Sequence, residues 1–297
     1  MYNFKRTLKL YIVRSGIRHS IEIYPDIAFS QTYSEEAYGV RTLHNLGHLH
    51  EAATITRARP ANFSFTYPLR DQTTKPILLS LGGDFTDGTC VTFDIYFELD
   101  GVTYKITNAT ISSLVFNIER TSLLTISVEG QGSRLSTHTG AVPGTPASID
   151  PDEYVKIDRL NIDLDATTLT SITSMNIELV NGVEWNENAT LQDTLAGTMI
   201  YPTYCYSTSR RISGSVTQYI TDDNETEIPD SYQTNASLDI DIYGGGQLIT
   251  PILGFSLPSV VFTARENLNE LLTKTYDFRL VDNSANASGN KPLYKGV

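Results

Sequence analysis

The chain carries one run of sequence twice. Thr92-Phe93-Asp94-Ile95-Tyr96-Phe97 is answered 147 residues later by Asp239-Ile240-Asp241-Ile242-Tyr243-Gly244, with Asp94/Asp241, Ile95/Ile242 and Tyr96/Tyr243 identical. Leu114-Val115-Phe116 meets Val260-Val261-Phe262 at an offset of 146, and Leu123-Leu124-Thr125 meets Leu271-Leu272-Thr273 at 148. Phe63-Ser64-Phe65-Thr66-Tyr67 is matched by Ile212-Ser213-Gly214-Ser215-Val216, and Ser20-Ile21 by Ser171-Ile172. The shared order and nearly constant offset indicate two copies of one domain. The expected boundaries are 1–138 for the first copy, 139–150 for a linker and 151–297 for the second. The stretch Thr139 to Ser148 is rich in Pro, Gly, Ser and Thr, as a linker should be.

Within each copy the period is two. Val91, Phe93, Ile95 and Phe97 alternate with Thr92, Asp94, Tyr96 and Glu98, and Leu160, Ile162 and Leu164 with Asn161, Asp163 and Asp165. Such alternation marks antiparallel strands with one face in a core and one in water. Asp100-Gly101, Asn181-Gly182 and Gly244-Gly245-Gly246 supply turns. The fold class expected is all-β: two tandem antiparallel β-sandwiches. Lys75 to Leu81 is the one candidate for a short helix. Residues 31–60 are too long for an ordinary hairpin loop, and loops of that length are usually functional. Their apolar residues need something to pack against, which points to a neighbouring subunit. Tyr33, Glu35, Glu36, Tyr38, Arg41, His44, His48 and His50 are the candidates for that contact.

Charge and motifs exclude most chemistry. Residues 1–148 hold 13 Lys/Arg and 13 Asp/Glu, whereas residues 149–297 hold 9 and 21, so the net charge of −12 sits in the second half. That opposes sequence-independent adhesion to DNA phosphates. The opening residues are interrupted by Lys9 and Arg14 and do not read as a signal peptide. No apolar run approaches the roughly 20 residues that span a bilayer, so no membrane partner is expected. Cys90 and Cys205 are expected as free thiols, Cys90 buried in a strand. The pattern His44-x3-His48-x-His50 needs a helix for its first pair, yet Gly47 interrupts it, and only Glu51 adds a carboxylate. No metal is expected, nor any cofactor: Walker loop and dinucleotide fingerprint are both missing from the sequence. A nucleophile elbow is missing too. Paired acids lie two apart on one strand face rather than across a cleft, so no catalytic residue is expected.

The chain resembles the major tail tube proteins of siphophages, of the type with two tube domains fused in one polypeptide. The residues that carry the resemblance are the early YIV strand, ANFSFTYPLRD with the following short helical segment, SMNIELVNGVEW and SRRISGSVTQYI. The resemblance implies two packed sheets per domain, each domain with a short flanking helix and a long loop. It implies a homotrimer with six domains around an axis, stacked ring on ring, one sheet of each domain joining its neighbours around a lumen. It also implies a virion protein assembled in the host cytoplasm, with a tape measure protein and tail-end proteins as partners. Double-stranded DNA would pass through without specific binding. The chain ends soon after the second copy, so no C-terminal immunoglobulin-like decoration is expected. Asp94, Glu98, Asp163, Asp165, Asp239 and Asp241 are the candidates for acids facing that lumen; the alternative is that they lie on the outer surface, where acids aid solubility. Two other readings stay open: a tail-tip or tail-terminator ring of the same fold, and a tandem β-sandwich binding module with Trp185 as its platform.

Overall fold

The computed structural model describes residues 8–40, 50–69, 90–99, 101–119, 123–147, 157–165, 167–186, 200–225, 227–228, 236–244, 249, 251, 253–268 and 272–281. Their regular structure is all β, in eighteen strands. The first half holds β1 (Lys9–Arg14), β2 (Ile17–Ile21), β3 (Ala28–Ser30), β4 (Tyr33–Val40), β5 (His50–Ala58) and β6 (Ala61–Pro68). It continues with β7 (Phe93–Leu99), β8 (Val102–Glu119), β9 (Thr125–Gly132), β10 (Arg134–His138) and β11 (Thr145–Pro146). The second half holds β12 (Ile157–Leu164), β13 (Thr167–Thr168), β14 (Ile172–Trp185), β15 (Cys205–Tyr219), β16 (Ala236–Gly244), β17 (Leu253–Leu268) and β18 (Leu272–Leu280). The helix expected over Lys75 to Leu81 lies outside the described residues.

The period of two becomes burial directly. Ala61, Phe63, Phe65 and Tyr67 of β6 are buried, while Asn62, Ser64 and Thr66 face away. Leu238, Ile240 and Ile242 of β16 are buried, with Asp239 and Asp241 on the other side. Successive side chains of a pleated strand leave opposite faces, so the alternation selects the core face without reference to anything distant.

Two long strands carry the chain from one sheet to another. The N-terminal part of β8 pairs with β7 and β10, and its C-terminal part with β9 and β14. The change occurs near Asn108, whose φ of 50° and hydrogen bond from its N–H to Asp94 Oδ1 (3.1 Å) mark a bulge. At this corner β9 runs so close to β8 that a Cβ on Gly130 would collide with the Phe63 ring and the Thr110 carbonyl. Gly130→Ala is therefore expected to cost about 1–3 kcal/mol, read as a lowered urea midpoint. An unchanged midpoint would mean that the corner is looser than this packing.

β17 behaves like β8: residues 253–260 pair with β16 and residues 260–268 with β18. The pairing order β1-β7-β8-β9-β6-β3 in the first half recurs as β12-β16-β17-β18-β15-β14 in the second. The halves are stitched by β8 against β14, antiparallel, over seven pairs from Ser113↔Val180 to Glu119↔Ser174. One hydrophobic cluster runs through both halves. Phe63 meets Phe93 edge-on between the two sheets of the first half, and Phe116 of β8 meets Phe255 of β17 at 5.2 Å between the halves.

Two expectations change here, at residues 31–60 and at Cys90. The long loop at 31–60 is largely a hairpin: β4 and β5 pair from Tyr33↔Ala58 to Val40↔His50. Residues 41–49 lie outside the described residues. The expected linker at 139–150 is held up to Ala147. Gly144, with φ 95°, turns the chain onto β2, where β11 pairs in parallel. There Arg18 donates to the Val142 carbonyl at 2.6 Å and Val142 is buried. Cys90 precedes β7 and is half-buried rather than enclosed in a strand.

Candidate assembly interface

The seam between β8 and β14 produces one sheet that belongs to both halves. Its order is β3-β6-β9-β8-β14-β15-β18-β17, antiparallel throughout. One face packs on the core. The other is crossed by polar pairs: Thr66 with Ser127 (3.2 Å), Asn176 with Asn117 (2.8 Å) and Thr217 with Thr275 (3.1 Å). Charges on this face are mixed: Glu129, Glu178 and Asp277 against Arg211 and Arg279, with Arg211 3.6 Å from Glu178. A face of hydroxyls, amides and mixed charge in which acids outnumber arginines offers no basic surface to phosphates.

The sheet ends in two strands that have a ladder on one side only among the described residues. At one end β3 pairs with β6 alone; at the other, residues 261–268 of β17 pair with β18 alone. Unpaired strand edges are templates for another chain. The internal seam shows what such an edge accepts. β8 occupies in its half the place of β17, and β14 the place of β3, and β8 and β14 pair.

Each half also projects an arm between its corresponding strands. In the first half it is the β4–β5 hairpin; in the second it is the far end of β14–β15, which runs to Trp185↔Cys205. The first arm is rooted by Gln31, whose amide nitrogen donates to the Arg59 and Ser133 carbonyls (2.8 and 3.0 Å) and whose oxygen accepts from Leu135 N–H (2.8 Å). The second arm leads into residues 200–205, which lie on the first half. There Ala58 N–H donates to Ile200 O (2.8 Å), Ser133 Oγ donates to Pro202 O (2.5 Å), and Arg134 covers the Tyr201 ring at 4.7 Å.

The residues singled out from sequence fall as follows. Tyr33, Glu35, Glu36 and Tyr38 lie on β4 and His50 opens β5, all on the first arm. Arg41, His44 and His48 lie outside the described residues. The six acids lie on β7, β12, β16 and the turn after β12, in the sheets that flank the eight-stranded one. Asp94 is bound by Lys105 Nζ at 2.7 Å and Glu98 lies 3.6 Å from Lys9. Asp163 accepts from Thr168 Oγ1 (2.6 Å), and Asp165 accepts from Ser237 N–H (2.8 Å). Asp239 sits opposite Asp163, and Asp241 opposite Asn161. Trp185 is buried at the far end of the β14–β15 ladder, not displayed as a platform. Sequence reading missed the two open ends and the seam; the Ser/Thr alternation of β15 and β18 was the available signal for the polar face.

Among the described residues no group of three His, Cys, Asp or Glu side chains gathers to hold a metal. A dense polar cluster around Glu227 is structural. Glu227 accepts from Thr170 N–H, Thr170 Oγ1 and Gln218 Nε2 at 2.7–2.9 Å and ties the turn after β15 to the segment before β14. Residues 1–288 match the model of the Bacteriophage Baseplate Tube Protein Family. No curated protein matches the chain.

Proposed function

The chain belongs to the bacteriophage baseplate tube protein family, a family of structural phage tail components, and from this we propose that it closes into a ring of three copies whose wall is the eight-stranded sheet. What carries the reading is that sheet, with an open strand at each end and, at its middle, a β8–β14 seam between strands equivalent to those ends. Head-to-tail pairing of β17 in one copy with β3 in the next repeats the seam between chains, and a heterologous contact that closes gives a ring. Two tandem tube domains per chain then make three chains a pseudohexamer. Ring closure also removes both sheet edges.

The sheet's core face is occupied, so its polar face is the one left to line the lumen, where double-stranded DNA passes. In this reading the six acids lie on the flanking sheets and contribute to the fold through their local partners. The rings stack through the first arm, and the tape measure and other tail-end proteins are the remaining partners. The family's description, baseplate tube, favours a tail-end ring over the main tail tube; copy number per particle separates the two.

Electron microscopy of the purified chain tests the assembly. Rings of three chains are expected, stacking into tubes at high concentration. Deleting Glu35 to Glu51 is expected to leave the chain folded and the rings closed but to stop stacking, since an arm outside the core is removable. A chain that stays monomeric at high concentration and forms no ring in an intact particle would overturn the proposal. Normal stacking by the deletion variant would overturn the role of the arm.

A further inference from the structure

Cys90 and Cys205 come from opposite halves of the chain and meet. Cys90 stands in the approach to β7, and Cys205 is the first residue of β15, opposite Trp185. Their thiols are in hydrogen-bond contact, and both residues are partly exposed to solvent. The contact is built, because the segment leading to Cys205 is held on the first half by the Ile200 and Pro202 carbonyls and by the Arg134–Tyr201 stack. The two thiols also differ. The hydrogen bond from Cys205 lowers the pKa of Cys90, and the same bond raises that of Cys205. Within the pair Cys90 is thus the more acidic thiol and Cys205 the hydrogen-bond donor.

We propose that Cys90 and Cys205 are the site of a disulfide staple that joins the two halves of the chain, formed by exchange with a small disulfide. The Cys90 thiolate attacks one sulfur of the reagent, forming a mixed disulfide and releasing one small thiolate. Cys205 gives its proton to that thiolate and attacks Cys90 Sγ, and the Cys90–Cys205 bond forms as the second small thiolate leaves and takes a proton from water. The pair loses two electrons and the reagent gains two. The bond closes the chain between the halves at the point where the second arm rests on the first half, a loop long enough for a large entropic effect on the unfolded chain. The proposal concerns the chain's own chemistry and stands whether or not the chain forms a ring.

The test is incubation of the full-length protein with oxidised glutathione. The expected product has neither thiol titratable, an intact mass lower by two hydrogens with no glutathione retained, and a cross-linked peptide pair containing Cys90 and Cys205. Its Tm is higher by roughly 5–10 °C, a rise reversed by dithiothreitol. Cys205→Ser is expected to stop at a stable glutathione adduct on Cys90, with no rise in Tm. Two glutathione adducts per chain, a disulfide between chains, or two thiols that remain titratable would each overturn the staple.

Discussion

A chain carrying Ala28→Cys and Val261→Cys, with Cys90 and Cys205 replaced by Ser, is expected to cross-link under oxidising conditions into covalent multiples that end at three. Ala28 lies on β3 and Val261 at the start of the open stretch of β17, so neither can reach the other within one chain, at opposite ends of the eight-stranded sheet. Between chains they become neighbours once β17 of one copy pairs with β3 of the next, within the 4.4–6.8 Å Cα separation that a disulfide needs. The β8–β14 seam sets the expected register only to within two residues, because the hairpins of the two halves differ in length. Ser259→Cys with Ala28→Cys is therefore the companion variant, and one of the two pairs is expected to link. Bands at one, two and three chains, with the last resistant to dilution, are the signature of closure. A ladder running past three chains would show an open polymer. No cross-link in either variant would remove the β17–β3 pairing altogether.

Phe116→Ala is expected to be the most destabilising single truncation, costing about 3–5 kcal/mol against a typical total of about 5–15. Phe116 is fully buried on β8, stands opposite Ile177 in the seam, and meets Phe255 of the second half edge-on. Truncation empties a ring-sized space where the cores of both halves meet. Because the hydrophobic cluster is continuous across the seam, both halves are expected to unfold in one calorimetric transition that moves as a whole. Two separate transitions, with only the first half's shifted, would show that the seam does not couple them.

Much of the fold was legible in the residues, and what was not legible has a common origin. Leu123-Leu124-Thr125 and Leu271-Leu272-Thr273 look equivalent in sequence, and β9 and β18 begin at Thr125 and Leu272. Yet Leu124 is fully buried, whereas Leu272 is exposed at the last pair of the β17–β18 ladder, opposite Leu268. The segment at 31–60 read as a loop because its apolar residues follow no clear period, and only cross-strand pairing makes it an arm. The acids read only as lying on wet strand faces because alternation reports parity. It does not report that Asp94 would find Lys105, or that Asp165 would hold the backbone of Ser237.

The sequence alone determined that this protein is β throughout its described structure, which side of each strand is apolar, and that the order of strands repeats. Those properties are local: a pleat sends neighbouring side chains to opposite faces, so five or six residues suffice to declare a strand and its buried side. The tertiary structure decided the rest: that β8 lies beside β14, that β3 and β17 are left open, that Gly144 turns the linker back onto β2, and that Cys90 meets Cys205. Strands are joined by backbone N–H and C=O groups, and these are the same in every strand. No residue names its partner strand, so the neighbours, the open ends and the surface they offer to another copy emerge only when all the faces are packed together.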